Sequence, residues 1–129
     1  MTEVFLYRGG VHEDARGTVR FCNDFDMTAV KRFYTIANSA AEPKRGWIMH
    51  KRETKWFFPL RGVTEVKIRG EGEQWNVCSS FVLTADAPQV LQVPPGNWFC
   101  IEQDGTAEVQ VFSNCRVGEF ENDDFRRPL

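Results

Sequence analysis

The sequence holds two histidines, His12 and His50, and imidazole is the side chain that takes or gives a proton near neutral pH with the least tuning. Proton transfer is therefore the chemistry to look for around each. His12 sits in a turn-rich stretch before Asp14 and is expected at the surface. His50 ends the run Gly46-Trp47-Ile48-Met49-His50. Residues two apart on a strand share a face, so Ile48 and His50 are both expected to look into one cavity. Isoleucine cannot accept a proton, which leaves His50 as the one imidazole placed to act. Its plainer alternative is a buried histidine that is hydrogen-bonded and has no catalytic task.

Arg45, just before that run, carries a planar guanidinium suited to bidentate capture of a diphosphate. Arg16, in Asp14-Ala15-Arg16-Gly17, is another guanidinium, set in a turn. Arg32 and Tyr34 alternate onto one face of residues 31–37, and Phe33 takes the other. Tyr34 offers a hydroxyl that can donate or relay a proton, and Lys55 is a nearby cation just before the run at 56–60. Trp98 follows Pro94-Pro95-Gly96 and offers a ring on which a base or sugar can stack. The alternatives are surface ion pairs for Arg45 and Arg16, a wall tyrosine whose hydroxyl finds a neighbour, a solvated charge for Lys55 and core packing for Trp98.

Strands must position these groups. Apolar residues recur at a period near two, as in Thr64-Glu65-Val66-Lys67-Ile68-Arg69, where Val66 and Ile68 point one way and the charges the other. Similar runs span residues 18–22, 31–37, 46–50, 56–60, 75–83, 90–93, 99–102 and 108–112. Breakers separate them at 14–17, 42–43, 61–62, 70–72, 94–96 and 104–105. Many short, evenly spaced strands favour a sandwich or barrel over a layered α/β fold. The one helical candidate, residues 26–30, is too short to carry an amphipathic face. Without a repeat or a linker, the expectation is one domain over residues 1–129. The charged tail, residues 120–129, reads either as a solvated terminus or as a strand-like arm docked on a partner subunit.

Hydrophobic residues make up 42% of the chain and charged residues 26%, too apolar for disorder and ordinary for a globular protein. The formal charge of −2, without a basic run, argues against nucleic acid. No apolar stretch approaches the ~20 residues that cross a bilayer, and residues 1–8 lack the pattern of a secretory signal; the expected place is the cytoplasm. Cys22, Cys78, Cys100 and Cys115 form no CxxC pair and are expected as free thiols serving as small hydrophobes.

Four blocks occur in order: His12-Glu13-Asp14-Ala15-Arg16-Gly17, Val30-Lys31-Arg32-Phe33-Tyr34, Arg45-Gly46-Trp47-Ile48-Met49-His50-Lys51 and Val93-Pro94-Pro95-Gly96. Together they resemble the dTDP-4-dehydrorhamnose 3,5-epimerase-related proteins and, more closely, the dTDP-sugar 3,4-ketoisomerases of the cupin superfamily. Asp123-Asp124-Phe125-Arg126 also looks like their Asp-Asp-Tyr-Arg ending. The resemblance implies an all-β, cupin-type jelly-roll barrel, a homodimer exchanging strands and a nucleotide sugar in the barrel mouth. It further implies isomerisation or epimerisation of a nucleotide-linked 4-keto-6-deoxy sugar (a dTDP-hexulose), by metal-independent proton transfer next to the ketone and without a cofactor.

On that reading His50 is the base, Tyr34 the acid or relay, and Arg45, Arg16, Arg32, Lys55 and Trp98 bind substrate, with Arg16 often reaching across from the neighbouring subunit. The relatives' third block reads Arg-Gly-aromatic-His-x-His-Lys, and here Ile48 fills the first histidine slot. Three explanations follow: His50 is the sole base, Tyr34 has taken the role, or the protein is a degenerate cupin that binds a nucleotide sugar without turnover. A metal-dependent cupin is disfavoured, because Ile48 and Phe99 fall where two histidine ligands belong and His50 with Glu53 makes a poor transition-metal site.

Overall fold

The computed structural model describes residues 3–129, and the period-two runs become strands of two facing antiparallel sheets. In chain order the strands are β1 (Phe5–Arg8), β2 (Gly10–Asp14), β3 (Gly17–Phe21), β4 (Arg32–Ile36), β5 (Lys44–Met49), β6 (Lys55–Arg61), β7 (Val63–Arg69), β8 (Cys78–Thr84), β9 (Gln89–Val93), β10 (Trp98–Gln103), β11 (Glu108–Ser113) and β12 (Phe125–Arg126). One sheet runs β1-β9-β6-β11-β4, the other β12-β5-β10-β7-β8, and β2 pairs with β3 in a separate hairpin. The all-β expectation holds.

The core fills the space between the sheets. Phe57, Val66, Leu91, Val109 and Val111 are wholly buried there, with Phe99 and Ile101 from β10; emptying one such aromatic site costs about 4 kcal/mol. Central β10 is buried on both faces, which explains its unbroken apolar reading. Its other side chains, Trp98 and Cys100, point outward into a second cluster with Trp47 and Met49, covered by Trp75 and Phe125. Phe25 similarly covers Trp56 and Val90 on the outside of the first sheet.

Several local expectations change. Residues 75–83 are not one strand: Gly72–Asn76 form a 3-10 helix, and β8 starts at Cys78. Arg69 fixes that helix, donating to the Trp75 carbonyl at 2.6 Å and stacking 5.1 Å from the Trp75 ring. The helical candidate at 26–30 is instead a turn, in which Asp26 accepts from the Thr28 amide and hydroxyl. Strands β1, β2 and β12 had no clear period; β2 and β3 are exposed along most of their length, and β12 is two residues long. The tail is neither free nor turned away from its own chain, since Phe125 pairs with Met49 and Arg126 with Ile48.

A bulge in β5 decides which side chains reach the interior. Phe99 lies opposite Ile48, but Cys100 lies opposite Gly46 and Ile101 opposite Arg45, so one residue of β5 is unopposed. Arg45 and Ile48 thereby share the inner face although they are three apart, while Trp47 and Met49 share the outer one. Gly46 has φ 140°, and a Cβ there would stand 2.7 Å from the Phe99 carbonyl oxygen and 2.8 Å from the Cys100 Cα. Only glycine fits.

Candidate active site

Where β4 faces β5 and β12, the sandwich holds a cavity of about 410 Å³, a volume suited to a small molecule. Its floor is apolar, from Ile48, Phe57, Phe99 and Ile101, and its polar residues are Tyr34, Thr35, Arg45, Lys55 and Arg126. Three cations around one apolar hollow suit an anionic ligand with an uncharged ring.

A buried polar network aims Arg45. Its Nε donates to Asn38 Oδ1 at 3.2 Å, and Asn38 Nδ2 donates to the carbonyls of Pro43 and Ile101. The Asn38 amide donates to Gln103 Oε1 at 2.6 Å, and Gln103 Nε2 donates in turn to Thr64 and Ile36. Because these groups are buried and satisfied, Arg45 is held without a carboxylate to neutralise it. Lys55 is nearly buried, with Nζ 5.6 Å from the Tyr34 and Phe99 ring centres and 4.0 Å from Glu53 Oε2.

His50 is buried, 4% exposed. Its Nδ1 lies 2.8 Å from the Asp123 carbonyl oxygen, 3.2 Å from Asp124 Oδ1 and 3.9 Å from Glu53 Oε1. All three partners only accept, so Nδ1 carries a proton whether or not the ring is charged, and in the neutral ring Nε2 holds the lone pair. Nε2 is buried and has no hydrogen-bond partner among the described residues. The Asp123 carboxylate accepts from the amides of Lys51, Arg52 and Glu53 at 2.8, 3.1 and 3.0 Å. Burial alone would push that carboxyl up; the amides of Lys51, Glu53 and Arg52, with the charge of His50, outweigh it and hold Asp123 below its usual range.

His50, Glu53 and Asp123 bring potential ligand atoms within 4.8 Å of one another, yet their chemistry does not suit a metal ion. Asp123 is taken up by three amides, and Glu53 Oε2 accepts from Ser113 at 2.6 Å while facing Arg32 at 3.5 Å and Lys55. Protein cations already balance the cluster.

Of the residues singled out from sequence, the cavity wall contains Tyr34, Arg45 and Lys55. His50 does not line it, contrary to the expectation that it shares the cavity with Ile48. β5 ends at Met49, and the Asp123 carbonyl draws the imidazole toward the tail, 5.9 Å from the Phe99 ring. Arg32 is also set back: its Nε donates to the Cys115 carbonyl, and its guanidinium covers the Tyr34 ring at 4.9 Å. Trp98 is not at the rim. Adjacent residues of a strand face opposite ways, so Phe99 takes the cavity and Trp98 the outer cluster, with its Nε1 donating to Glu71. Arg16 lies on the exposed β2–β3 hairpin and pairs with Asp14 at 2.6 Å; His12, 3.3 Å from the same carboxylate, is at the surface as expected.

Sequence reasoning assigned no role to Arg126, Asp123 or Asp124. Their only signal was the Asp123-Asp124-Phe125-Arg126 ending, and nothing local says that this segment crosses to β5.

The two facing sheets with a cavity between them are a cupin-type jelly-roll fold, and solved structures of that fold match the chain along nearly its whole length. No family model matches the sequence, and no curated protein matches it. A His-to-Asn mutant of the 3,4-ketoisomerase QdtA from Thermoanaerobacterium thermosaccharolyticum, in complex with TDP-4-keto-6-deoxyglucose, superposes with a TM-score of 0.76 at 18% identity, covering 98% of this chain and 89% of that one. A 3,4-ketoisomerase from Helicobacter canadensis gives 0.74 at 18%, covering 98% and 92%. The rmlC epimerase of Mycobacterium tuberculosis gives 0.76 at 14%, covering 95% and 68%. Such identities establish the fold.

Proposed function

We propose that this protein isomerises or epimerises a nucleotide-linked 4-keto-6-deoxy sugar through metal-independent proton transfer beside the ketone. The observation that carries the reading is His50, whose Nδ1 proton is fixed by the Asp123 carbonyl, so that Nε2 is left as a base beside a cavity edged with cations. Neighbours of the same fold that act on or bind such sugars support it.

Nε2 of His50 takes the proton from the carbon next to the ketone, and the charge that develops on the ketone oxygen is met by Lys55 and the Tyr34 hydroxyl. Tyr34 then returns or relays a proton. Arg45 and Arg126 hold the diphosphate, Arg32 tunes the Tyr34 ring from behind, and Arg16 reaches the ligand of a second subunit. His50 stands beside Phe99 rather than in the wall, so a side-chain shift on ligand binding is part of this reading. The homodimer it needs would form through the exposed β2–β3 hairpin, where Arg16 stands at the turn. Four unpaired cysteines support a cytoplasmic setting.

Incubation with dTDP-4-keto-6-deoxyglucose in deuterated water tests the reading. Deuterium is expected at carbon 3 or 5 for epimerisation and at carbon 4 for ketone migration, and its absence from all three removes catalysis. In that case the second reading stands, a cupin that binds a nucleotide sugar without turnover. Ile48 in the cavity wall favours it, and it requires that calorimetric dTDP binding survive His50→Ala.

A further inference from the structure

The tail, residues 120–127, touches the candidate site at two points and is pinned on the far side of the sheet. Asp123 gives its carbonyl to His50 Nδ1, and Arg126 stands in the cavity wall opposite Ile48 on β5. Immediately beyond, Arg127 exchanges two backbone hydrogen bonds with Trp47, at 3.1 and 3.2 Å. Its guanidinium lies 4.1 Å from the Trp75 ring centre and 5.3 Å from that of Trp98. Trp75, in the 3-10 helix, meets Trp47 and Trp98 edge to face at 5.3 and 5.9 Å, and Arg69 stacks on its ring from the end of β7. A tail of eight residues has few ways to hold two active-site groups in register, and a cation seated over a packed indole is a fixed anchor.

We infer that Arg127 and Trp75 form a positioning anchor for the active site, acting through the tail to keep the Asp123 carbonyl on His50 and Arg126 in the cavity wall. Neither residue touches the cavity. Arg127 is exposed and adds little to the core, so its loss should be felt at the site more than in the fold. The anchor also gives the outer tryptophan cluster a role that the cavity alone does not explain. This inference rests on the proposed function only where turnover is the readout.

The test compares wild type with Arg127→Ala, Trp75→Ala, the double variant, Arg127→Lys and a control at another exposed arginine, Arg61→Ala. Three measurements are made: the 15N spectrum of His50, which reports which ring nitrogen is protonated; dTDP affinity by calorimetry; and kcat/KM on the 4-keto sugar. Arg127→Ala is expected to convert the single Nδ1–H form into a mixture, to weaken dTDP about fivefold and to lower kcat/KM at least as much. Arg127→Lys should restore part of each, since it keeps the charge and loses the planar stack. The double variant should be no worse than the worse single, because the two residues make one contact. Thermal melting checks that each variant is folded. If wild type has no turnover, the spectrum and the dTDP affinity still decide the inference. An unchanged His50 spectrum with dTDP affinity within twofold in folded Arg127→Ala overturns it, as do strictly additive losses in the double variant.

Discussion

Two parts of the molecule are built from the same three residue types and have opposite characters. On the β2–β3 hairpin, His12 and Arg16 flank the Asp14 carboxylate at 3.3 and 2.6 Å. Beside β5, His50 meets the Asp123 carbonyl and the Asp124 carboxylate, and Arg126 lies 3.6 Å from Asp124. The first cluster is local, formed by residues two apart on one exposed turn, and water screens it. The second joins positions 73 apart in sequence around an imidazole that is 4% exposed. In the exposed cluster Arg16 holds Asp14 below its usual range, and the fold does not depend on the pair. In the buried one the acid's environment fixes a tautomer, a tail and a cavity wall. Burial, not composition, separates an ion pair from a site.

Deleting the imidazoles breaks the comparison most sharply. On the proposed reading His50→Ala lowers kcat by roughly 100- to 10,000-fold, while His12→Ala leaves it unchanged; equal rates in a deuterium-exchange assay would erase the distinction. The acids come next. Asp123→Ala removes a carboxylate from three amides, that of Glu53 buried and those of Lys51 and Arg52 part-buried, and is expected to cost about 2 kcal/mol in urea unfolding, whereas Asp14→Ala should leave the midpoint where it is. A cost below about 1 kcal/mol for Asp123→Ala would mean that water replaces the carboxylate easily.

Asp123 also gives the comparison a pH axis. Its folded pKa lies below the ordinary 3.8, so its stabilisation is complete above that value and is lost as pH falls through the lower folded one. Below about pH 4 wild type should therefore lose stability more steeply than Asp123→Asn, which has no such proton to take up. Parallel acid-unfolding curves would dissociate the carboxylate from the fold.

The bulge supplies a smaller effect. Gly46→Ala places a Cβ against the β10 backbone and is expected to destabilise by about 2 kcal/mol, together with weaker dTDP binding as Arg45 loses its phase; a variant as stable as wild type would show that β10 yields. Arg16 gives the smallest change. Arg16→Ala should leave the melting temperature in place and weaken dTDP about tenfold through the neighbouring subunit, and an unchanged dissociation constant would take Arg16 off the diphosphate.

The sequence by itself determined the sheets. Val66 and Ile68, Val109 and Val111, Leu91 and Val93 alternate with polar neighbours, and a side chain's face on a strand depends only on the parity of its position. Glycine and proline pairs closed most of those strands correctly, because turn geometry is also local. Part of the site's chemistry was legible for the same reason, with Tyr34 found on a strand whose alternation could be read, whereas Lys55 lies outside the run at 56–60 and was singled out by the family resemblance alone. Tertiary structure alone decided the rest. Arg45 reaches the cavity because a bulge opposite Phe99 shifts its phase, and parity cannot see a residue that has no partner. Trp98 turns away because Phe99 takes the inner face, although both look equally apolar in sequence. His50 leaves the wall for the carbonyl of Asp123, and Arg126 enters it, through pairings between β5 and a two-residue strand at the far end of the chain. Hydrogen bonds across such a distance depend on where the folded chain returns, and no window of neighbouring residues records that.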